Sequence, residues 1–150
     1  MSSADLTGPG APPSSAEHRS ALAEANRESI ALIEQLIRTV PDAARIHLPQ
    51  YEDWLPGVLA HSTFLPADTV LTGTTTRTAH FFVVLKGSCT VIDARGGRLL
   101  IQAPYLGITE PCAKRSLHAH EDCLWIDFHE TELTTVGEIR KQFRPEGGAK

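Results

Sequence analysis

The first third of the chain carries apolar residues at helical spacing. They recur every three or four positions ahead of Pro41, which predicts one stripe along an amphipathic helix. Ser14 and Glu17 have the spacing of a capping box, and Pro41 ends the helix because the residue before a proline avoids helical dihedrals. We therefore predict a helix over residues 16–40, whose stripe either docks on its own domain or forms a subunit interface. The stripe and candidate interface comprise Ile30, Ile33, Leu36, Ile37 and Val40.

From residue 44 onward the spacing changes to that of extended strands. Short apolar or alternating runs are separated by proline and glycine, a pattern typical of an all-β sandwich or barrel. We predict this β-domain over residues 44–131, preceded by an extended Pro/Gly/Ser arm over residues 1–15. A short helix and a tail are predicted over residues 132–150. The predicted strands are residues 45–48, 58–65, 69–71, 79–86, 88–93, 98–102, 105–109, 115–119 and 123–129.

Residues 115–130 hold most of the candidate chemistry and are predicted to form a strand, a tight turn and a second strand. Side chains alternate between the two faces of a strand. On the first arm, one side carries Ser116, His118 and His120. On the second arm, one side carries Leu124, Ile126 and Phe128, and the other carries Trp125, Asp127 and His129. We interpret His61 and His129 as surface or strand-end residues.

Composition and charge exclude several function classes. The net charge of −4 leaves no basic surface, so binding of nucleic acid by charge is not expected. No signal peptide is visible, and no apolar run approaches the roughly 18 residues that a membrane span needs. The three cysteines show no CxxC spacing, which predicts reduced thiols and a cytosolic origin.

The order of the strands resembles the cupin double-stranded β-helix. Residues 64–93 are similar to the first cupin half, and residues 103–131 to the second. More narrowly, the ending is similar to small cupin-like proteins encoded by tailed bacteriophages and prophages. The residues that carry this likeness are Lys114, Arg115, Ala119, His120, Glu121, Asp122, Leu124, Trp125 and His129. The resemblance implies a mainly β, cupin-like jelly roll with an N-terminal amphipathic helix and a short C-terminal helix.

The match to the cupin metal-binding motif is incomplete. That motif implies two histidines two positions apart and then a glutamate, but Phe82 takes the place of a second histidine after His80. If His80 meets His118, His120 and Glu121 inside a barrel, they would hold one divalent transition metal such as Zn, Fe or Mn. Otherwise His120 hydrogen-bonds the turn, His118 is solvated and His80 caps a strand. We expect this second outcome, and hence no cofactor, because a catalytic metal needs about three convergent protein ligands.

Two function classes remain. The expected one is a non-enzymatic, phage virion-associated structural protein: a decoration, head–tail connector or tail-associated protein without catalytic residues. It would dock through its arm, helix and barrel surface on other virion proteins or on its own subunits as a homo-oligomer, and would be assembled in the bacterial cytoplasm. The alternative is a small metal-dependent cupin enzyme of the bacterial cytoplasm, an isomerase or dioxygenase that uses His80, His118 and His120.

Overall fold

The computed structural model describes residues 14–132 and residue 138. Its main feature is a pair of antiparallel β-sheets packed face to face behind one long helix, α1 (Ser15–Thr39). The five-stranded sheet has the order β1-β2-β9-β4-β7, and the four-stranded sheet has the order β3-β8-β5-β6. Most consecutive strands after β2 lie in opposite sheets, which confirms the predicted mainly β jelly roll. The strands are β1 Gln50–Leu55, β2 Gly57–Leu65, β3 Val70–Thr72, β4 His80–Lys86, β5 Ser88–Asp93, β6 Arg98–Gln102, β7 Tyr105–Thr109, β8 Arg115–Ala119 and β9 Cys123–Thr131.

The predicted strands from residue 58 onward are all present, with small differences at their ends. The strand predicted at residues 45–48 does not form, and β1 (Gln50–Leu55) lies just after it instead. The pattern does not indicate β1 because Gln50, Glu52 and Asp53 interrupt its apolar positions. β1 is an edge strand of the five-stranded sheet. One side of an edge strand is open to solvent, so it can form without a regular apolar alternation.

Apolar side chains from both sheets fill the space between them. Phe82 on β4 is almost fully buried, and its ring stacks on that of Trp125 with centroids 4.4 Å apart. Cys89 and Cys123 are free, buried thiols in the same core. Burial raises the pKa of the Cys89 thiol to about 12, so this sulfur stays protonated at neutral pH and packs as a small apolar group.

Helix α1 packs on the four-stranded sheet, where it contacts β3, β5 and β8. The side chain of Ile30 on this helix is only 3% exposed. Asn26 Nδ2 donates to the carbonyl oxygens of Asp93 and Gly97, at 2.8 and 2.9 Å. These bonds satisfy backbone acceptors at the β5–β6 turn and fix the position of the helix along the sheet.

The predicted interface stripe of α1 is divided between two environments. Ile30 is buried against the protein's own sheet, and Ile33 and Ile37 are half-buried on the same side. Leu36 is 57% exposed, and Val40 is also exposed. The docking of the stripe on its own domain therefore accounts for Ile30, whereas a subunit contact through Leu36 and Val40 stays a prediction.

The ends of the chain are described only in part. The helix begins at the predicted capping box, in which Glu17 N donates to Ser14 Oγ at 3.2 Å and Ser14 N donates to Glu17 Oε2 at 2.7 Å. Residues 1–13 of the predicted arm lie outside the described residues. Most of the helix and tail predicted over residues 132–150 also lies outside them. Within the described residues, none of the helices has the length and hydropathy needed to cross a membrane.

Candidate metal centre

A cavity of about 410 Å³ lies between the two sheets. The five-stranded sheet lines it with mostly polar side chains, and the four-stranded sheet lines it with Val91, Leu117 and Arg115. The segment between β3 and β4 adds the hydroxyl groups of Thr74 and Thr76. Small-molecule sites are typically roughly 300–1,000 Å³ in volume, so this cavity can hold a small ligand.

Three side chains that can bind a metal converge on this cavity: His80, Asp127 and His129. His80 begins β4, whereas Asp127 and His129 share the inward face of the neighbouring strand β9. His80 Nε2 lies 3.2 Å from Asp127 Oδ1, and the rings of His80 and His129 have centroids 4.3 Å apart. One ligand atom from each residue lies within 4.8 Å of the others. Among the described residues, no second group of three His, Cys, Asp or Glu side chains is this close.

The separation of His80 and Asp127 fits a single transition-metal ion. Imidazole nitrogen and carboxylate oxygen bind zinc at about 2.0–2.2 Å, so two neighbouring ligand atoms on one ion lie roughly 3–3.5 Å apart. The 3.2 Å between His80 Nε2 and Asp127 Oδ1 lies in this range. Two histidines and one carboxylate are also the donor set of catalytic zinc and non-haem iron sites that keep positions open for substrate. The residues present are therefore suited to one divalent ion.

Neighbouring groups hold two of these ligands in place. Trp125 Nε1 donates to Asp127 Oδ1 at 3.0 Å, which orients the carboxylate. The other ring nitrogen of His80, Nδ1, lies 3.4 Å from Thr76 Oγ1 and 3.5 Å from the carbonyl oxygen of Thr78. Metal-binding histidines usually donate their second N–H to such an oxygen, which fixes the tautomer and leaves the other nitrogen for the metal.

A second polar pair, Glu52 and His61, lies beside these ligands. His61 Nδ1 is 3.4 Å from Glu52 Oε1, and both side chains line the cavity. The strand register places Glu52 opposite His61, and His61 opposite Asp127. Cross-strand neighbours have Cβ atoms about 4.5–5.5 Å apart. This cross-strand row therefore places the His61 imidazole, which contacts the Glu52 carboxylate, next to the candidate metal ligand Asp127.

Arg115 contributes a fixed positive charge to the opposite wall. Its Nε donates to Asp93 Oδ2 at 3.2 Å and its Nη1 donates to Thr109 Oγ1 at 3.0 Å. The guanidinium also lies 5.6 Å from the centroid of the Phe82 ring. These contacts hold the guanidinium in one orientation beside the cavity, and Asp93 balances part of its charge.

The structure separates the predicted ligands His80, His118, His120 and Glu121. Leu117 faces the cavity, so the alternation along β8 turns His118 to the outer side of the four-stranded sheet. The rings of His118 and His120 contact each other there, with centroids 4.6 Å apart, and both side chains are exposed. Glu121 accepts a hydrogen bond from a serine hydroxyl at 2.7 Å. Of this set, His80 alone lines the cavity.

Asp127 and His129 are the candidate ligands that the sequence analysis missed. The interpretation of His61 and His129 as surface or strand-end residues is wrong, because both side chains line the cavity and His129 is only 9% exposed. On β9 the apolar residues Ile126 and Phe128 lie on the outer face, and the polar residues lie inside. Antiparallel strands usually show the reverse arrangement. The sequence signal that could have identified them is Trp125-x-Asp127-x-His129. Its aspartate supplies, from β9, the carboxylate that the cupin metal-binding motif would place after His80.

Comparisons with known proteins identify the fold. No protein-family model matches the chain, and none of the curated proteins matches it. Among solved structures, a salicylate 1,2-dioxygenase from Pseudaminobacter salicylatoxidans is 14% identical with a TM-score of 0.54, over 91% of this chain and 43% of that chain. A cupin superfamily protein from Desulfitobacterium hafniense is 4% identical with a TM-score of 0.50, over 60% of this chain and 83% of that chain. This chain has the cupin fold.

A third match among solved structures is the DMSP lyase DddQ from Ruegeria pomeroyi. It is 8% identical with a TM-score of 0.53, over 65% of this chain and 54% of that chain. The chain thus spans about half the length of each of the two matched enzymes. None of these three structures is named as a phage or virion component. The predicted phage origin and virion role therefore gain no support and stay predictions.

Without metal, the protein is expected to lose stability as the pH falls from 6.5 to about 4. Burial, together with nearby His80 and His61, lowers the pKa of His129 from 6.5 to about 4, although Asp127 acts in the opposite direction. In this window the unfolded chain binds a proton that the folded chain does not, so the contribution of His129 is complete above pH 6.5 and is lost below it. We expect a loss of about 2 kcal/mol, since one pKa unit corresponds to about 1.4 kcal/mol and the ring keeps some solvent contact.

Urea unfolding of the metal-free protein at neutral pH and near pH 4.5 measures this loss. Carboxylates also titrate at the lower pH, so the informative quantity is the difference between the wild type and His129→Gln. The variant should show a clearly smaller decrease in the free energy of unfolding. An equal decrease in both proteins would contradict the assignment of this titration to His129.

Proposed function

We propose that this protein is a small metal-dependent cupin enzyme that acts on a small polar molecule. The observation that carries the proposal is the convergence of His80, Asp127 and His129 on a ligand-sized cavity. Polar groups that are withdrawn from water are costly unless they are paired or bind a ligand or metal. A strongly lowered pKa at a cavity wall, as at His129, is also typical of functional sites.

His80, Asp127 and His129 would hold the ion. A bound divalent metal would supply a Lewis acid for substrate oxygen atoms or, in the case of iron, a redox centre. Metal binding requires a neutral imidazole with a free electron pair. The lowered pKa of His129 keeps its ring neutral at pH 7 and thus ready to bind. Trp125 holds the Asp127 carboxylate in position through its Nε1–H.

His61 is suited to move a proton next to these ligands. Its Nδ1 lies 3.4 Å from Glu52 Oε1, an arrangement that favours the tautomer with the hydrogen on Nδ1. The Nε2 atom is then the nitrogen that accepts a proton from a substrate or returns it. We assign His61 as the general base and Glu52 as the residue that positions it.

The remaining cavity wall fits a substrate with several oxygen atoms. Thr72, Thr74 and Thr76 line the cavity with hydroxyl groups, and Arg115 adds a fixed guanidinium. Leu117 and similar side chains supply apolar surface for a carbon skeleton. Such a wall suits a small oxygenated molecule. Isomerisation and dioxygenation of such a molecule are the two candidate reactions.

Metal titration of protein stripped with a chelator tests this proposal. We expect about one equivalent of zinc or ferrous iron to bind. A Trp54→Phe variant leaves Trp125 as the fluorescent indole, and its emission should change on binding because its Nε1 donates to Asp127. Calcium, which prefers several oxygen ligands, serves as the control and should leave the emission unchanged. Retention of less than about a tenth of an equivalent after dialysis would contradict a metal site.

A further inference from the structure

Arg115 places a positive charge on the apolar wall of the cavity. It lies two positions before Leu117 on β8, so the alternation of the strand directs both side chains into the space between the sheets. Among the described residues that line the cavity, Arg115 is the only lysine or arginine. Its side chain is 23% exposed. A charge that is withdrawn from water is costly unless it is paired, so the partners of the guanidinium indicate its role.

The protein occupies three of the five N–H donors of this guanidinium. Nε donates to Asp93 Oδ2 at 3.2 Å, and Nη1 donates to Thr109 Oγ1 at 3.0 Å. Nη2 donates to the carbonyl oxygen of Ile108 at 3.3 Å. One N–H on each terminal nitrogen therefore has no partner in the described part of the chain. Asp93 contacts the guanidinium through a single N–H, so the group can still bind a second carboxylate.

Strand pairing sets how far the guanidinium lies from the candidate metal ligands. Thr109, which accepts from Nη1, pairs with His80 between β7 and β4, and both side chains line the cavity. Paired residues have Cβ atoms about 4.5–5.5 Å apart. The guanidinium also lies 5.6 Å from the centroid of the Phe82 ring, which belongs to the same strand as His80. The positive group and the candidate ligands are therefore close enough for one small molecule to reach both.

We propose that Arg115 binds the carboxylate of the substrate, which is therefore a small organic acid with further oxygen atoms on its carbon skeleton. This inference rests on the proposed function, because it assigns one end of the substrate of that enzyme. The planar guanidinium matches a carboxylate in shape, and the two N–H groups without a protein partner would donate to it. Leu117 and Val91 would contact the carbon skeleton, and its other oxygen atoms would lie toward His80.

The charge of the cavity favours a carboxylate over a phosphate group. A phosphate monoester carries about −1.5 to −2 charges at neutral pH. The cavity wall offers one guanidinium, and Asp93 already balances part of its charge. Asp127 and Glu52 add negative charge to the facing wall. A carboxylate carries a single negative charge on a planar pair of oxygen atoms, so it matches one partly balanced guanidinium better than a phosphate does.

A purely structural role of Arg115 is the competing explanation. Through Asp93, Thr109 and Ile108 the guanidinium joins the end of β5 to β7, which stabilises this part of the barrel without any ligand. A structural role of this kind gives the cavity no preference for a charged ligand over a neutral one of the same size. The binding of a matched charged and neutral pair to the wild type therefore separates the two explanations.

Nuclear magnetic resonance titration with 4-methoxybutanoate and its neutral amide tests the proposal. The two probes are nearly equal in size, and the methoxy protons of each give one sharp line that broadens on binding. We expect the metal-free wild type, in which no ion attracts the carboxylate, to bind the acid at least about tenfold more tightly than the amide. Equal binding of the two probes would refute the proposal and leave Arg115 with a structural role.

Arg115→Met and Arg98→Met are the matched variants for this titration. Each removes one positive charge and keeps a long side chain, but Arg98 lies on β6 and does not line the cavity. We expect Arg115→Met to lose the preference for the acid and Arg98→Met to keep it. A preference that persists in Arg115→Met, or that disappears equally in both variants, would overturn the assignment. If Arg115→Met fails to fold, the comparison of the two probes in the wild type decides.

Methyl phosphate is the probe for the choice between the two anions. It should bind to the metal-free wild type at least about tenfold more weakly than 4-methoxybutanoate, because the site supplies a single guanidinium. Equal or tighter binding of methyl phosphate would overturn the assignment of a carboxylate.

Zinc titration of the same proteins keeps this inference separate from the proposed function. Arg115→Met should bind zinc within about twofold of the wild type, because the guanidinium is not a candidate ligand. Zinc binding without a preference for the acid would refute the role of Arg115 and leave the metal site intact. A preference for the acid in protein that binds no zinc would refute the metal site and leave Arg115 as the residue that binds the carboxylate.

Discussion

Replacing Asp127 with asparagine is expected to lower the affinity for a divalent metal by about 100-fold or more. The substitution keeps the size of the side chain and an oxygen that can accept the bond from Trp125 Nε1, but it removes the negative charge that binds the ion. Even the loss of a residue that supports a ligand typically costs 10–100-fold in metal affinity. Isothermal titration calorimetry of wild type and variant with zinc measures the difference. Circular dichroism should show the same fold for both.

The double variant His118→Ala/His120→Ala is the matched control for this experiment. It removes two of the histidines that the sequence analysis names as alternative ligands, but they lie on the outer side of the four-stranded sheet. We expect its metal affinity to stay within about twofold of the wild type, because neither side chain lines the cavity. If this variant loses metal while Asp127→Asn keeps it, the metal site is not formed by His80, Asp127 and His129. The site is then formed by His118 and His120 on the outer side of the four-stranded sheet.

The largest effect on stability is expected for Phe82→Ala. Phe82 is almost fully buried, stacks on Trp125 with an interplanar angle of 6°, and lies 5.9 Å from the ring of Tyr105. Truncation of a buried phenylalanine removes its transfer free energy and leaves a cavity, which together cost about 3–5 kcal/mol. It also releases the indole whose Nε1 orients Asp127, so metal affinity should fall as well.

Urea unfolding monitored by circular dichroism measures this loss. Leu100→Ala is the matched control, because it also truncates a large apolar side chain of a strand, but one that is mostly exposed. Its effect should remain below about 0.5 kcal/mol, as for most surface substitutions. A Phe82→Ala variant as stable as the control would show that the interior around Trp125 is not packed as described.

The sequence is informative about the fold because its strands are clearly separated. Gly87 ends β4 with a positive φ of 86°, and a side chain there would collide with the backbone of Asp122. A residue of this kind fixes a turn from local chemistry alone, and the same holds for the capping box at Ser14. The pattern fails at β1, where the edge of a sheet does not require a regular apolar face.

The site is harder to predict because it depends on which way β9 faces. His80 is identifiable as a histidine at the head of an apolar strand. Asp127 and His129 are missed because Ile126 and Phe128 make the outer face of β9 look like its buried side. Hydrophobic alternation shows that two faces differ, but it does not show which one lines the interior. β9 has a cavity on one side and apolar side chains on the other, so only the pairing of the strands in three dimensions resolves the choice.

The candidate ligands and the proposed general base all come from the five-stranded sheet, whereas the segment between β3 and β4 and the four-stranded sheet build the facing wall. In the proposed enzyme, reactivity and selectivity would thus be encoded in separate stretches of the chain. Mutations in the threonine-rich segment can alter which molecules are admitted while the reactive centre persists. A protein divided in this way can acquire new substrates during evolution without first giving up its chemistry.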